Sequence, residues 1–200
     1  MKKYLLDTSY ILDMLEFYPP KDPRFKFVWE KLEKKIKNKE ILVIDKVFEE
    51  LKKEKEDSES IKELSQKTTK EKLAMGKKFK EQKEQKEEND FIKNLLQRIE
   101  PYKEKTHEED SIGIMKKYDK NADWFRGNKD TIANEKADLP LIAKANKLQS
   151  KGLEAIILTD EIMPTTSKDT KRVKLNIPTL AQLFNIKCLQ LRHSINIITT

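Results

Sequence analysis

The sequence predicts an α/β protein with a central parallel sheet. Two short apolar runs, at 3–7 and 155–159, each end in or beside an acidic residue, which is typical of buried strands that stop at a sheet edge. Helical patterns separate these runs from two others, at 40–44 and 186–191, and helical crossovers between strands imply parallel pairing. With 200 residues, the chain is long enough for a single domain carrying an insertion.

The first quarter of the chain alternates strands and helices. After the first strand, apolar residues at helical spacing predict a helix over 9–17, which a proline-rich turn ends. Asp22 and Pro23 suit the start of a second helix. The strand at 40–44 follows, and Asp45 can cap a third helix.

The middle of the chain, at about 52–135, differs in composition and predicts a polar helical insertion. Residues 52–88 are rich in Lys, Glu and Gln, so they form helices held by charge pairs or are locally disordered, and the sequence leaves both open. An amphipathic face returns between Phe91 and Ile99, and Pro101 ends it.

The α/β pattern resumes near Asp138, which can cap a helix that ends at Gly152. The second acid-terminated strand comes next. A short strand at 172–175, a helix opened by Pro178 and a last strand at 186–191 complete the predicted domain, which covers the whole chain.

Composition bears on partner and compartment. The charged fraction of 38% and net charge of +7 suit a polyanionic partner, although biased codon usage produces the same lysine-rich composition. Cys188 is the only cysteine, which excludes an intramolecular disulfide and leads us to expect a cytoplasmic protein. Asp7 and Asp13 interrupt the N-terminal apolar stretch, so we expect neither a signal peptide nor a membrane span.

Several kinds of site can be set aside. The four glycines are scattered and form no phosphate-binding loop, and no nucleophile-elbow motif is present. The two histidines, His107 and His193, cannot form a structural zinc site with one cysteine. We expect both to be solvated surface residues.

Acidic residues are the remaining candidates for chemistry. Asp7 and Asp160 end two strands, and helices bearing Glu50 and Asp138 can bring these acids to the same sheet edge. Carboxylate oxygens are the ligands that Mg²⁺ and Mn²⁺ prefer, so the four acids predict a hard-cation site. Each acid taken alone also suits an ordinary helix cap, turn or solvated position.

Four motifs follow one another along the chain: Tyr4–Ser9, Val47–Leu51, Lys136–Ala145 and Leu158–Glu161. In this order they resemble the PIN domain family, and most of all its VapC-type ribonuclease toxins and their longer relatives. The resemblance implies a PIN-like three-layer α/β/α fold, with the insertion at about 52–135 outside it. It also implies that catalytic Mg²⁺ or Mn²⁺ is held by Asp7, Glu50, Asp138 and Asp160.

The same resemblance implies supporting roles for three hydroxyl residues. Thr8 and Ser9 would support the metal ligands or contact phosphate, and Thr159 would orient the acid that follows it. Two of the four ligand assignments each have an adjacent alternative, because Glu49 precedes Glu50 and Glu161 follows Asp160.

A basic segment follows the second acid-terminated strand. Such residues can hold RNA phosphates without reading sequence, although a solvated loop has the same composition. The four predicted RNA-binding residues are Lys168, Lys171, Arg172 and Lys174.

The resemblance implies a metal-dependent endoribonuclease, either the toxin of a toxin–antitoxin pair or a related defence nuclease. RNA would be its substrate, an antitoxin protein its partner, and a homodimer its assembly. Two alternatives stay open: a scaffold protein whose acids hold a structural metal or none, and a structure-specific DNA nuclease. Contacts to the 2′-hydroxyl, which distinguish RNA from DNA, are not visible in a sequence.

Overall fold

The computed structural model describes residues 1–53, 89–118, 137–162 and 177–200. Within them, four strands form one all-parallel sheet, in the order β2-β1-β3-β4. The strands are β1 (Lys2–Leu6), β2 (Ile41–Leu42), β3 (Glu154–Leu158) and β4 (Lys187–Leu189). The predicted α/β class with a central parallel sheet is therefore confirmed.

Eight α-helices accompany the sheet in the described ranges. Four of them, α3, α4, α5 and α7, adjoin ranges outside the description, and the limits of α3 and α4 here are those of the described residues. The segments are α1 (Thr8–Phe17), α2 (Lys26–Lys37), α3 (45–53), α4 (89–99), α5 (Glu108–Tyr118), α6 (Asp138–Ser150), α7 (Ile177–Leu183) and α8 (Leu191–Thr199). None of these helices combines the length and apolar character needed to cross a bilayer.

The two central strands owe their burial to continuous apolar sequence. Leu5 and Leu6 of β1, like Ile157 and Leu158 of β3, have no exposed surface, as expected for parallel strands covered on both faces. Helix α6 contacts both central strands, while α8 packs against α1 and α2. This arrangement is compatible with a three-layer α/β/α fold.

Helix α4, the amphipathic helix predicted before Pro101, contributes to the core. Leu95 and Ile99 are each 1% exposed, and the ring of Phe91 meets that of Trp29 edge-to-face, with centroids 4.9 Å apart. The later part of the predicted insertion is thus apolar on its inner face. The segment 52–88, apart from its first two residues, and the predicted strand at 172–175 lie outside the described residues.

The last strand is shorter than the predicted range 186–191, because helix α8 begins at Leu191. The side chains of Leu191, Ser194 and Ile198 are buried at helical spacing. The hydroxyls of Tyr10 and Ser194 lie 2.8 Å apart and hydrogen bond, which joins α8 to α1. The sequence alone did not lead us to predict this helix. His193, which we expected in a tail, is an exposed residue of α8.

Candidate functional site

Asp7 lies at the carboxyl end of β1, where the strand turns into α1. Its amide continues the ladder by donating to the Leu158 carbonyl, at 3.0 Å. Asp7 is the N-cap of α1, but its carboxylate makes no capping hydrogen bond. Instead, Oδ2 accepts hydrogen bonds from Ser9 Oγ (2.6 Å) and Thr159 Oγ1 (2.8 Å). The sheet edge therefore directs this acid into a cluster of hydroxyl groups.

The electrostatic environment of Asp7 is unfavourable for its charge. Asp7 is only 3% exposed, and burial raises its pKa from 3.8 to about 6. The hydroxyls of Ser9 and Thr159 lower the pKa in part, whereas the negative charge of Glu161 raises it further. None of the described groups that shift this pKa is a cation. A bound cation would stabilise the ionised carboxylate.

The hydroxyl groups also connect the residues that follow β1 with those that follow β3. The amide of Asp160 donates to Ser9 Oγ at 3.1 Å, and the amide of Glu161 donates to Thr159 Oγ1 at 3.2 Å. Ser9 Oγ and Thr159 Oγ1 are themselves 3.2 Å apart. Thr159 is almost fully buried. The two strand ends thus form one hydrogen-bonded unit around Asp7.

Glu50 joins three helices at this edge. Its Oε2 accepts a 2.6 Å hydrogen bond from Thr8 Oγ1 at the start of α1, and its Oε1 accepts a 2.7 Å bond from the amide of Ala137. Ala137 is the N-cap of α6, and Asp138 is the first residue of that helix. The sequence prediction gave Asp138 the capping position, one residue later. Through Glu50, the helix that carries Asp138 is held next to the residue that follows Asp7.

Glu49 and Glu50, which the sequence left as alternatives, have different environments. Glu49 pairs with Lys46 at 2.9 Å, one turn earlier on α3, and its side chain is 62% exposed. Glu50 is half-buried and faces α1 and α6. Of the two, Glu50 is the residue placed at the sheet edge.

The carboxylate of Asp160 contacts the start of α8. Both of its carboxylate oxygens accept from the amide of Leu191, the first residue of α8, at 3.2 and 3.1 Å. Burial raises its pKa, and the nearby charge of Asp13 raises it further, although the Leu191 amide counteracts this. Its carboxylate therefore binds the start of α8 and lies beside Asp13 of α1, which the sequence prediction did not include.

Glu161 is the acid after β3 that interacts electrostatically with Asp7. Its charge raises the pKa of Asp7, and together with Asp7 it raises the pKa of Cys188, to about 12, after the larger effect of burial. Its Oε2 accepts a 2.8 Å hydrogen bond from the amide of Ile177 at the start of α7. The sequence offered Glu161 as the alternative to Asp160, and the structure gives the two acids different partners.

The acidic side chains near this sheet edge suit a hard divalent cation. Its members are carboxylates, which Mg²⁺ and Mn²⁺ prefer, and Mg²⁺ keeps several waters, so it needs no complete protein cage. Across the described ranges, no three His, Cys, Asp or Glu side chains already form a metal-binding cluster. The predicted RNA-binding residues, Lys168, Lys171, Arg172 and Lys174, lie outside the described residues.

Comparisons with known proteins add no relative to this picture. No family model, curated protein or solved structure matches the chain.

Proposed function

We propose that this protein is a metal-dependent endoribonuclease with a PIN-like fold, hydrolysing RNA phosphodiester bonds with Mg²⁺ or Mn²⁺. The observation that supports this most is the buried carboxylate of Asp7, which lies at the carboxyl edge of a parallel sheet with two hydroxyl donors and no described cation partner. Ligand sites of open α/β folds lie at this edge. A perturbed carboxyl pKa at such a place favours a functional role.

The proposed metal ligands are Asp7, Glu50, Asp138 and Asp160, with Glu161 as the alternative to Asp160. When bound, the ion supplies a Lewis acid that activates water and stabilises phosphate charge. The protein residues position the donors: Ser9 and Thr159 orient Asp7, and Thr8 orients Glu50.

A basic chain supports RNA as the substrate. The net charge of +7 favours a polyanion, because lysine and arginine contacts release counterions from the phosphate backbone. Lys168, Lys171, Arg172 and Lys174 remain the proposed phosphate contacts. On the resemblance to VapC-type toxins, we also propose a cytoplasmic toxin or defence nuclease that an antitoxin protein inhibits and that forms a homodimer.

The test is cleavage of mixed total RNA by the purified full-length protein. Reactions contain Mg²⁺ or Mn²⁺, with EDTA, Asp7→Asn and Glu154→Gln as controls. Glu154 begins β3 at the opposite edge of the sheet, so Glu154→Gln removes one carboxylate charge without changing the proposed site. We expect discrete fragments from the wild type and Glu154→Gln, and none with EDTA or Asp7→Asn.

Other outcomes identify the alternative functions. Cleavage of branched or flapped DNA but not RNA would indicate a structure-specific DNA nuclease. A rise in melting temperature on metal addition, with no cleavage of either nucleic acid, would favour a scaffold with a structural metal. Equal RNA cleavage by the wild type and Asp7→Asn would contradict the proposed site.

A further inference from the structure

A recess of about 490 Å³ lies beside the Asp7 site, between the end of α1 and the start of α8. This volume is in the usual range for small-ligand pockets. The recess shares Asp160 with the sheet edge, and the backbone of Asp160 is hydrogen-bonded to Ser9, which binds Asp7. Its lining includes Asp13, Phe17, Tyr18, Asp160, Gln190 and Arg192.

Two carboxylates, those of Asp13 and Asp160, line the recess together with one cation, Arg192. Each carboxylate would repel a phosphate group. Asp160 is already bound by the amide of Leu191, whereas Asp13 makes no hydrogen bond or ion pair with the described residues. Asp13 can therefore accept hydrogen bonds from a ligand.

Aromatic side chains form one wall of the recess. Phe17 is 60% exposed, so its ring is accessible to a ligand. The ring of Tyr18 is held edge-to-face against Phe25, with centroids 5.3 Å apart, and the Tyr18 carbonyl accepts from Trp29 Nε1 at 2.7 Å. A planar ligand can stack on the exposed ring beside this fixed wall.

Arg192, near the start of α8, adds hydrogen-bond donors to the lining. Arg192 Nε donates to Gln190 Oε1 at 3.1 Å. That contact orients the guanidinium through Nε and does not use its terminal nitrogens. The recess therefore combines a carboxylate acceptor, a guanidinium donor and an aromatic surface.

We propose that this recess is a nucleobase subsite that takes guanine from the RNA strand; this inference rests on the proposed function. The Watson–Crick edge of guanine carries the N1 and N2 hydrogens next to the O6 acceptor. The carboxylate of Asp13 accepts from N1 and N2, Arg192 donates to O6, and the base stacks on Phe17. The phosphate then stays outside the recess, away from the carboxylate of Asp13.

The test is an NMR titration, in the presence of EDTA, that measures how tightly the full chain binds 5′-GMP, 5′-AMP, 5′-CMP and 5′-UMP. No metal and no cleavage are needed, so the result does not depend on nuclease activity. We expect 5′-GMP to bind at least about tenfold more tightly than the other three nucleotides, as a bidentate base contact allows. Equal binding of all four, or no binding of 5′-GMP, would overturn the proposal.

Two variants with matched controls separate the hydrogen-bond contact from stacking. Asp13→Asn should remove most of the preference for guanine, whereas Glu16→Gln, an exposed charge change on the same helix, should preserve it. Phe17→Ala should weaken the binding of all four nucleotides by about tenfold. Phe27→Ala, which removes another exposed ring away from the recess, should have no effect. An unchanged guanine preference in Asp13→Asn would overturn the assigned contact.

The two proposals fail in different ways. If the protein cleaves RNA but does not prefer 5′-GMP to the other nucleotides, the guanine subsite is wrong and the proposed nuclease activity is retained. If 5′-GMP binds selectively but no RNA is cleaved under any metal condition, the nuclease is wrong and the recess remains a guanine-binding site.

Discussion

The two ends of strands β1 and β3 have opposite electrostatic character. At their amino ends, Lys2 and Glu154 form an ion pair at 3.7 Å, and their side chains are 58% and 51% exposed. At their carboxyl ends, Asp7 and Thr159 form a hydrogen bond at 2.8 Å and are both buried. The same pair of strands thus has a solvated amino edge with balanced charges and a buried carboxyl edge at which no cation among the described residues shifts the pKa of Asp7.

The two edges differ in what their charges contribute to stability. An exposed ion pair contributes about 0–1 kcal/mol, so the amino edge is nearly neutral for stability. The raised pKa of Asp7, from 3.8 to about 6, corresponds to a cost of roughly 3 kcal/mol for keeping the carboxylate ionised at pH 7. A charge that destabilises the fold at such an edge favours a ligand-binding role.

Asp7→Asn should produce the largest change. We expect RNA cleavage to fall by at least about 100-fold, since even residues that only support metal ligands affect activity by 10–100-fold. Stability at pH 7 should rise by up to roughly 3 kcal/mol, because the buried charge is removed while an acceptor remains for the hydroxyls. Activity assays and urea denaturation measure the two effects. A variant that is both active and no more stable would contradict the interpretation of this edge.

The pH dependence of stability should sharpen the comparison. Since the folded-state pKa of Asp7 is about 6 and its ordinary value is 3.8, the folded protein binds more protons between these values. The contribution of Asp7 to stability therefore falls as pH rises from about 4 to 6. The stability advantage of Asp7→Asn over the wild type should be near zero at pH 4 and fully present by pH 7. Urea denaturation across this range tests the sign.

Glu104 offers a control, because its ionised carboxylate should stabilise the fold where that of Asp7 destabilises it. Burial alone would raise its pKa, but hydrogen bonds from Lys39 and Lys144 lower it overall. Its stabilising contribution is present above its ordinary pKa and is lost as pH falls. Glu104→Gln should therefore be less stable than the wild type at pH 7, with the difference shrinking in acid. A loss of stability at pH 7 in both Asp7→Asn and Glu104→Gln would show that Asp7 is not destabilising.

Glu50→Ala should have a smaller effect on stability. The change removes the acceptor of hydrogen bonds from Thr8 and Ala137 and should cost about 1–2 kcal/mol, because Glu50 is only half-buried. Glu49→Ala is the matched control, and it should change the free energy of unfolding by less than about 0.5 kcal/mol. Thermal denaturation distinguishes them. Equal losses would show that the two glutamates do not differ as their positions indicate.

Glu154→Gln should have the smallest effect. It removes an exposed ion pair with Lys2 and should change stability by less than about 0.5 kcal/mol, without affecting RNA cleavage. Denaturation and cleavage assays on the same preparation provide both readouts. A loss of cleavage here would place activity at the amino edge and reverse the comparison.

Much of this edge follows from local sequence signals. An apolar run ending in Asp7 predicts both a strand and the position of the acid, since parallel strands expose their ends at a common edge. The amphipathic pattern up to Ile99 likewise predicts a helix with a buried face. These features depend on neighbours along the chain, so one sequence is enough to indicate them.

The environment of Asp160 depends instead on a long-range contact. Its carboxylate binds the amide of Leu191, 31 residues later, at a helix start that the apolar run 186–191 concealed. The spacing of Leu191, Ser194 and Ile198 was the available signal for α8. The position of Asp13 beside Asp160 follows only once that helix is placed.

The most direct test of the carboxyl edge as a cation site is calorimetric titration of Mn²⁺ into the wild type, Asp7→Asn and Glu154→Gln at pH 7.5 and 5.0. Metal must displace the proton from Asp7, so we expect wild-type affinity to be weaker at pH 5.0, below the pKa of about 6. Glu154→Gln should bind like the wild type, and Asp7→Asn should bind at least about tenfold more weakly. Equal, pH-independent affinity in all three proteins would contradict a cation site at Asp7.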